Sequence, residues 1–167
     1  ILLLIKDAPL DIYKVPRKNF FMGKWIKFSG WYPNFRQPQL FRAGMMSYDL
    51  KPVHEGYISH SNKAIGQINN EIWQFPFKNT EEVIYKANRY SSLGAEKLLS
   101  LGKNGSVVKA FFHGAWAFIK HYIFKLGILD GGAGFVIAFG NFEGTFYRYL
   151  KLAELQADWK PPSTKPI

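Results

Sequence analysis

Cysteine is absent from the chain, which rules out a disulfide framework and any thiolate metal site. Acids are scarce: 12 Asp and Glu stand against 22 Lys and Arg, a formal charge of +10. That balance favours an anionic partner, whether nucleic acid, an acidic membrane face or a phosphorylated substrate. Long apolar runs are missing too. Ile1 to Ile5 is followed at once by Lys6 and Asp7, too short for a signal-peptide core and far too short for a membrane span. It reads as a buried strand or helix end. Phe135 to Phe139 is strongly apolar but is interrupted by Gly140, Asn141 and Glu143, the pattern of a docked or half-embedded helix. The histidines, His54, His60, His113 and His121, show no zinc-like pairing. No Walker-type loop, dinucleotide fingerprint or Ser–His–Asp nucleophile arrangement is present.

What is abundant is aromatic. Phe, Trp and Tyr make up 17% of the 167 residues and are interleaved with the basic ones, a mixture that fits RNA binding and membrane-interface binding alike. The length suffices for a domain with a real core. Two regions and a tail are expected. Residues 1–77 are rich in Gly, Pro and aromatics, with short strands at Tyr13-Lys14-Val15 (ended by Pro16), Leu40-Phe41-Arg42, Val53 to Ile58 and Ile65 to Phe75. Trp31-Tyr32-Pro33 and Lys51-Pro52 punctuate them as turns. This half resembles the edge of an α/β sheet carrying functional loops.

Residues 78–157 read as helical. Asn79-Thr80-Glu81-Glu82 is a capping signature, with Glu82 placed to reach back. Ile84, Ala87, Ser91, Ala95, Leu98 and Leu99 follow at helical spacing, and Gly102 and Gly105 mark the stop. Ser106 caps a second helix, Val107 to about Leu126, apolar almost all round. Lys109, His113, Trp116 and Lys120 share one of its faces, either a basic stripe at an anionic membrane surface or a solvated face. Phe111, Phe112, Phe118 and Phe124 read as helix packing. Asp130 is expected to cap a third helix, with Gly131, Gly132 and Gly134 allowing a tight entry. Residues 158–167 read as an extended, disordered tail.

The chemistry-bearing stretch is Ser29-Gly30-Trp31-Tyr32-Pro33, then Gln39-Leu40-Phe41-Arg42 and Val53-His54-Glu55. It supplies a carboxylate, a histidine, guanidinium groups and aromatics, the groups needed to hold a sugar and remove a proton from its hydroxyl. A carboxylate base in reach of an acceptor hydroxyl contributes about 10²–10⁴-fold. From the residues alone, Glu55 is either that base or a strand-end acid paired with a lysine. Trp31 and Tyr32 either stack on a sugar ring or pack at a turn. Arg42, Arg17 and Arg36 either neutralise phosphate through bidentate contacts or lie at the surface. His54 either orients Glu55 or contacts diphosphate, or is a structural histidine.

The ordered set Val15-Pro16-Arg17-Lys18-Asn19, Gly23-Lys24-Trp25-Ile26, Gly30-Trp31-Tyr32-Pro33, Leu40-Phe41-Arg42 and Val53-His54-Glu55 resembles family 2 glycosyltransferases of the lipopolysaccharide core β-1,4-glucosyltransferase type. The likeness continues through Lys86-Ala87-Asn88-Arg89-Tyr90-Ser91, Phe118-Ile119-Lys120-His121-Tyr122, Gly127-Ile128-Leu129-Asp130-Gly131, Gly134-Phe135 and Tyr149-Leu150-Lys151-Leu152. It covers roughly residues 12 to 155.

The resemblance implies an α/β chain that is the C-terminal portion of a GT-A (nucleotide-diphospho-sugar transferase) fold followed by C-terminal helices. It implies an inverting enzyme with Glu55 as base, Trp31, Tyr32, Arg42, His54 and Arg17 as substrate-binding residues, a nucleotide-diphospho-sugar donor and a lipid-linked or lipopolysaccharide core acceptor. It also implies a place on the inner face of the cell membrane and no nucleic-acid partner. A divalent metal (Mg or Mn) is expected in the full enzyme with ligands mostly outside this chain, because the family's Asp-x-Asp motif does not occur here. The donor half is therefore expected to precede Ile1, and this piece alone to be inactive. Three positions depart from the pattern: Asn34 where relatives carry an acid, Gln39 where they carry Arg, and Gln74 where they often carry His. The competing reading is a non-enzymatic basic, aromatic module that binds RNA or an anionic membrane.

Overall fold

The computed structural model describes residues 9–35, 37–49 and 56–157. The chain divides into two compact units, with the boundary between Pro76 and Phe77. The first carries strands and the second helices, a mixed α/β composition.

In the first unit the strands are β1 (Ile12–Lys14), β2 (Arg17–Phe21), β3 (Lys24–Trp25), β4 (Pro38–Phe41), β5 (Met46–Tyr48), β6 (Tyr57–Ser59), β7 (Gly66–Gln67) and β8 (Ile72–Gln74). Among the described residues they form three small sheets, ordered β4-β1-β7, β3-β2-β8 and β5-β6. The first two share one plan. A central strand has an antiparallel neighbour on one side and a parallel one on the other, with Tyr13 opposite Gly66 and Lys18 opposite Trp73 in the parallel pairs. Pro16 divides β1 from β2, since it has no N–H to give a ladder. Its carbonyl still accepts from the Ile72 amide at 2.9 Å, so the two parallel pairs run almost end to end. Only Val15 and Pro16 separate β1 from β2, whereas the four residues Ile68 to Glu71 separate their partners, so the strand expected over Ile65 to Phe75 is split into β7 and β8.

The β2–β3 hairpin turns on Met22 (φ 50°) and Gly23 (φ 73°). Two successive left-handed residues are what a two-residue turn between twisted strands requires, and a glycine meets that at no steric cost. The core of this unit gathers Tyr13, Val15 and Ile68, with Leu10 and Leu40 packed against them. Val53 to Glu55 of the strand expected to reach Ile58 lie outside the described residues. Its far end is seen in β6, paired with β5.

The second unit contains α1 (Thr80–Ser100), α2 (Val107–Ile119) continuing into a π-helical turn (Lys120–Phe124), a 3₁₀ turn (Gly127–Asp130) and α3 (Gly132–Ala157). Asn79 caps α1, its Oδ1 accepting from the Glu82 amide at 2.9 Å. Glu82 reaches back to the Lys78 amide at 2.7 Å, one residue further than the expected capping box. Lys86 pairs with Glu82 at 2.8 Å, and this ammonium together with the Lys78 amide holds that carboxyl below its ordinary range. Ser106 caps α2, accepting from the Lys109 amide at 3.1 Å. Three expectations are corrected. The second helix does not run unbroken to Leu126: it widens into the π turn at Lys120, and Leu126 is left-handed (φ 55°). Asp130 ends the 3₁₀ turn, buried, while the first bond of α3 runs from the Phe135 amide to the Gly131 carbonyl. Ile84, expected on the core face of α1, is exposed.

The interior of this unit is rich in small residues, Ser91 and Ala95 on α1, Ala110 and Gly114 on α2, and Ala133, Gly134 and Ala138 on α3, with Ile137 and Leu152 of α3 buried among them. Small side chains let helix backbones approach closely. Gly114 lies against Phe142, and Gly105 against the α3 backbone at Tyr149 and Ala153. A polar hub ties α3 to α1: the Lys151 ammonium donates to the Asn88 carbonyl (2.9 Å), Asn88 Oδ1 (2.6 Å), Ser91 Oγ (2.9 Å) and Ser92 Oγ (2.8 Å). His113, expected on a basic outer stripe, instead stacks on Tyr149 of α3 at 4.2 Å and 3°.

Candidate functional site

Alternation along β2 sends Asn19 and Phe21 inward and Lys18 and Phe20 outward. Asn19 is buried, and its side-chain amide donates to the Trp31 carbonyl at 2.9 Å. One inward polar residue thus anchors the Gly30-Trp31-Tyr32-Pro33 segment to the sheet. Trp31 packs its ring against Phe21 at 6.0 Å. Tyr32, followed by a cis bond to Pro33, sets its ring edge-on to Trp25 at 5.3 Å. Its hydroxyl donates to Glu71 Oε1 at 2.8 Å, and that acceptor carboxylate raises the phenol above its ordinary pKa.

The outward face of the same sheet carries a cation–aromatic cluster. Lys18 Nζ lies 4.1 Å from the centre of the Trp25 ring, 5.7 Å from that of Trp73 and 3.4 Å from Glu71 Oε2. Lys27 Nζ is 4.7 Å from the Trp25 ring. Phe20 meets Trp73 at 5.0 Å and stacks on Phe75 at 5.3 Å. Trp73 and Phe75 are 63% and 67% exposed, so sheet register holds two large rings open to solvent. An open apolar face with Lys18, Lys27, Glu71 and Tyr32 beside it can stack on the C–H face of a sugar while polar groups meet its hydroxyls or a charged substituent.

The other expected residues are anchored elsewhere in this unit. Arg17, at the start of β2, donates through Nη2 (2.6 Å) and Nε (3.0 Å) to the side-chain oxygen of Gln39. Gln39 is one of the three departures, and an arginine there could not accept those bonds. Arg42 Nε lies 3.4 Å from Asp11 Oδ1. The same carboxylate accepts from Ser61 Oγ (2.7 Å) and Lys63 Nζ (3.2 Å), which hold Asp11 below its ordinary pKa. Glu55, His54 and Arg36 lie outside the described residues, as does the tail 158–167. Among the described residues no three His, Asp or Glu side chains converge into a set able to hold a metal ion.

Glu71, Lys18, Asn19 and Trp73 were not singled out as site residues from the sequence. The period-two pairing of Lys18 with Trp73 was the signal, but it becomes visible only once the parallel register is known.

Over 122 residues the chain is 30% identical to the lipopolysaccharide core biosynthesis glycosyltransferase LpsC of Rhizobium meliloti (strain 1021), covering 72% of this chain and 43% of the relative. The chain thus spans less than half the length of that protein. No protein-family model matches, and no solved structure matches. The likeness is therefore to a glycosyltransferase of lipopolysaccharide core biosynthesis, and it takes in the strand unit and helices alike.

Proposed function

We propose that the chain is the acceptor-side part of an inverting glycosyltransferase with a GT-A catalytic domain over residues 1–77 and C-terminal helices over 78–157. It acts on a lipopolysaccharide core or related glycan. The observation that carries the reading is the open Trp73–Phe75 face with Lys18, Lys27 and Glu71 at its rim, in a chain similar to a glycosyltransferase over 122 residues. The aromatic face receives the acceptor sugar. The lysines meet phosphate or carboxylate substituents on it, and Tyr32 holds Glu71 at its rim. Glu55 takes the proton of the acceptor hydroxyl while that oxygen bonds to the anomeric carbon of the donor. The nucleoside diphosphate leaves from the opposite face with the bonding electron pair, inverting the centre. His54 orients the carboxylate.

In a chain extended to the relative's full length, Glu55→Gln should lower kcat by about 10²–10⁴-fold without changing the circular dichroism. Trp73→Ala should raise the acceptor KM roughly tenfold and spare the donor KM. Full turnover by the Glu55→Gln protein removes that residue from the role. A salt-sensitive RNA affinity without sugar transfer would replace the reading with a nucleic-acid module.

A further inference from the structure

The interior of the helical unit holds small residues together with Ile137 and Leu152, while large apolar residues project outward at the turn that joins α2 to α3. Ile123, Phe124, Leu126, Ile128 and Leu129 are 50%, 67%, 48%, 51% and 61% exposed. Connecting turns normally carry polar residues because they meet water. Upstream on the same surface Trp116, also exposed, touches Phe124 at 5.7 Å. Lys120 and Lys125 flank this apolar tip, and the chain carries no acid between them and Asp130, which is buried. No described helix is long and apolar enough to cross a bilayer.

We infer that the α2–α3 turn is a membrane-docking tip that inserts Phe124, Leu126, Ile128 and Leu129 into the interface of an anionic phospholipid bilayer. Lys120 and Lys125 sit at headgroup level, and Trp116 marks the boundary. The occupant is lipid rather than a second protein for two reasons. The lysines beside the apolar tip, Lys120 and Lys125, complement a uniformly anionic sheet of headgroups. Bulky side chains directed outward from helices that meet through small residues such as Ala110, Gly114 and Ala138 also match the packing of helices that face hydrocarbon. The tip rests inside the interface rather than spanning it, as an apolar surface beside a lysine-rich one does. This goes beyond the catalytic reading, since docking is measured without any sugar transfer.

The test uses the whole chain with sedimenting vesicles of phosphatidylcholine alone and of an equal mixture with phosphatidylglycerol. The protein should pellet with the mixed vesicles. Phe124→Ser with Leu129→Ser should lower the partition coefficient about tenfold or more, and Lys120→Gln with Lys125→Gln roughly fivefold per lysine on the mixed vesicles alone. Brominated acyl chains should quench the fluorescence of the wild-type chain more than that of Trp116→Phe, a readout that stands if the serine variant loses its helical circular dichroism. Failure to pellet, equal pelleting by a folded serine variant, or quenching indifferent to Trp116 would overturn the inference. So would a wild-type dimer that the serine substitutions dissolve without any vesicle binding.

Discussion

His121 shows how one side chain of the helical unit is set by its neighbours. Its Nδ1–H donates to the Ala117 carbonyl at 2.9 Å, which leaves Nε2 as the acceptor facing Lys125 Nζ at 3.3 Å. Burial first, and the ammonium groups of Lys125 and Lys120 after it, push its pKa below the ordinary 6.5, against the pull of the Ala117 carbonyl. The neutral ring therefore belongs to the folded state, and the unfolded chain binds the extra proton. The stability tied to His121 is complete above pH 6.5 and declines as the pH falls below that value toward the depressed folded-state pKa. The thermal midpoint of the wild type should drop over that window more steeply than that of His121→Gln. Parallel curves would show that the ring does not titrate in this way. None of this could be read from the sequence, where His121 is one of four histidines without zinc-like pairing. Its tautomer depends on a carbonyl one helical turn away.

At the scale of elements, the entry into α3 is the tightest joint described. A Cβ on Gly134 would collide with the Gly127 carbonyl and press on Asp130. These are backbone and buried groups that cannot step aside. Gly134→Ala should cost about 3 kcal/mol, the upper part of the overpacking range, seen as a lower denaturant midpoint at unchanged slope. An unchanged midpoint would mean the joint opens freely. The need for a tight entry was legible in Gly131, Gly132 and Gly134, and the helix starts were legible in Asn79 and Ser106, because caps act over a few residues. The π turn and the break between β7 and β8 were not. Each answers to a partner far along the chain: the α3 aromatics in one case, as Phe118 and Tyr122 both meet Phe135, and the β1–β2 track in the other. The candidate surface follows the same rule, since Trp31 and Tyr32 are conspicuous in sequence but Asn19 and Glu71 matter only through contacts that the fold creates.

At the scale of the whole molecule, the chain consists of two units that meet between Pro76 and Phe77, each with its own interior. In the helical unit, α3 packs on both α1 and α2 and is tied to α1 by the Lys151 hub. Residues 77–167 expressed alone should therefore keep a helical circular dichroism spectrum and melt cooperatively. A coil spectrum would show that the helices depend on the strands. The parallel pairing of Tyr13–Asn19 with Gly66–Gln74 carries a kinetic consequence. Its two halves are separated by a long stretch of chain, so they cannot meet until that stretch has been made and looped back, at the entropic cost of closing it. The α2–α3 hairpin closes over a short turn and has no such wait. In a refolding time course the later part of the polypeptide should register first, and the strands that precede it in order of synthesis should be the last to settle.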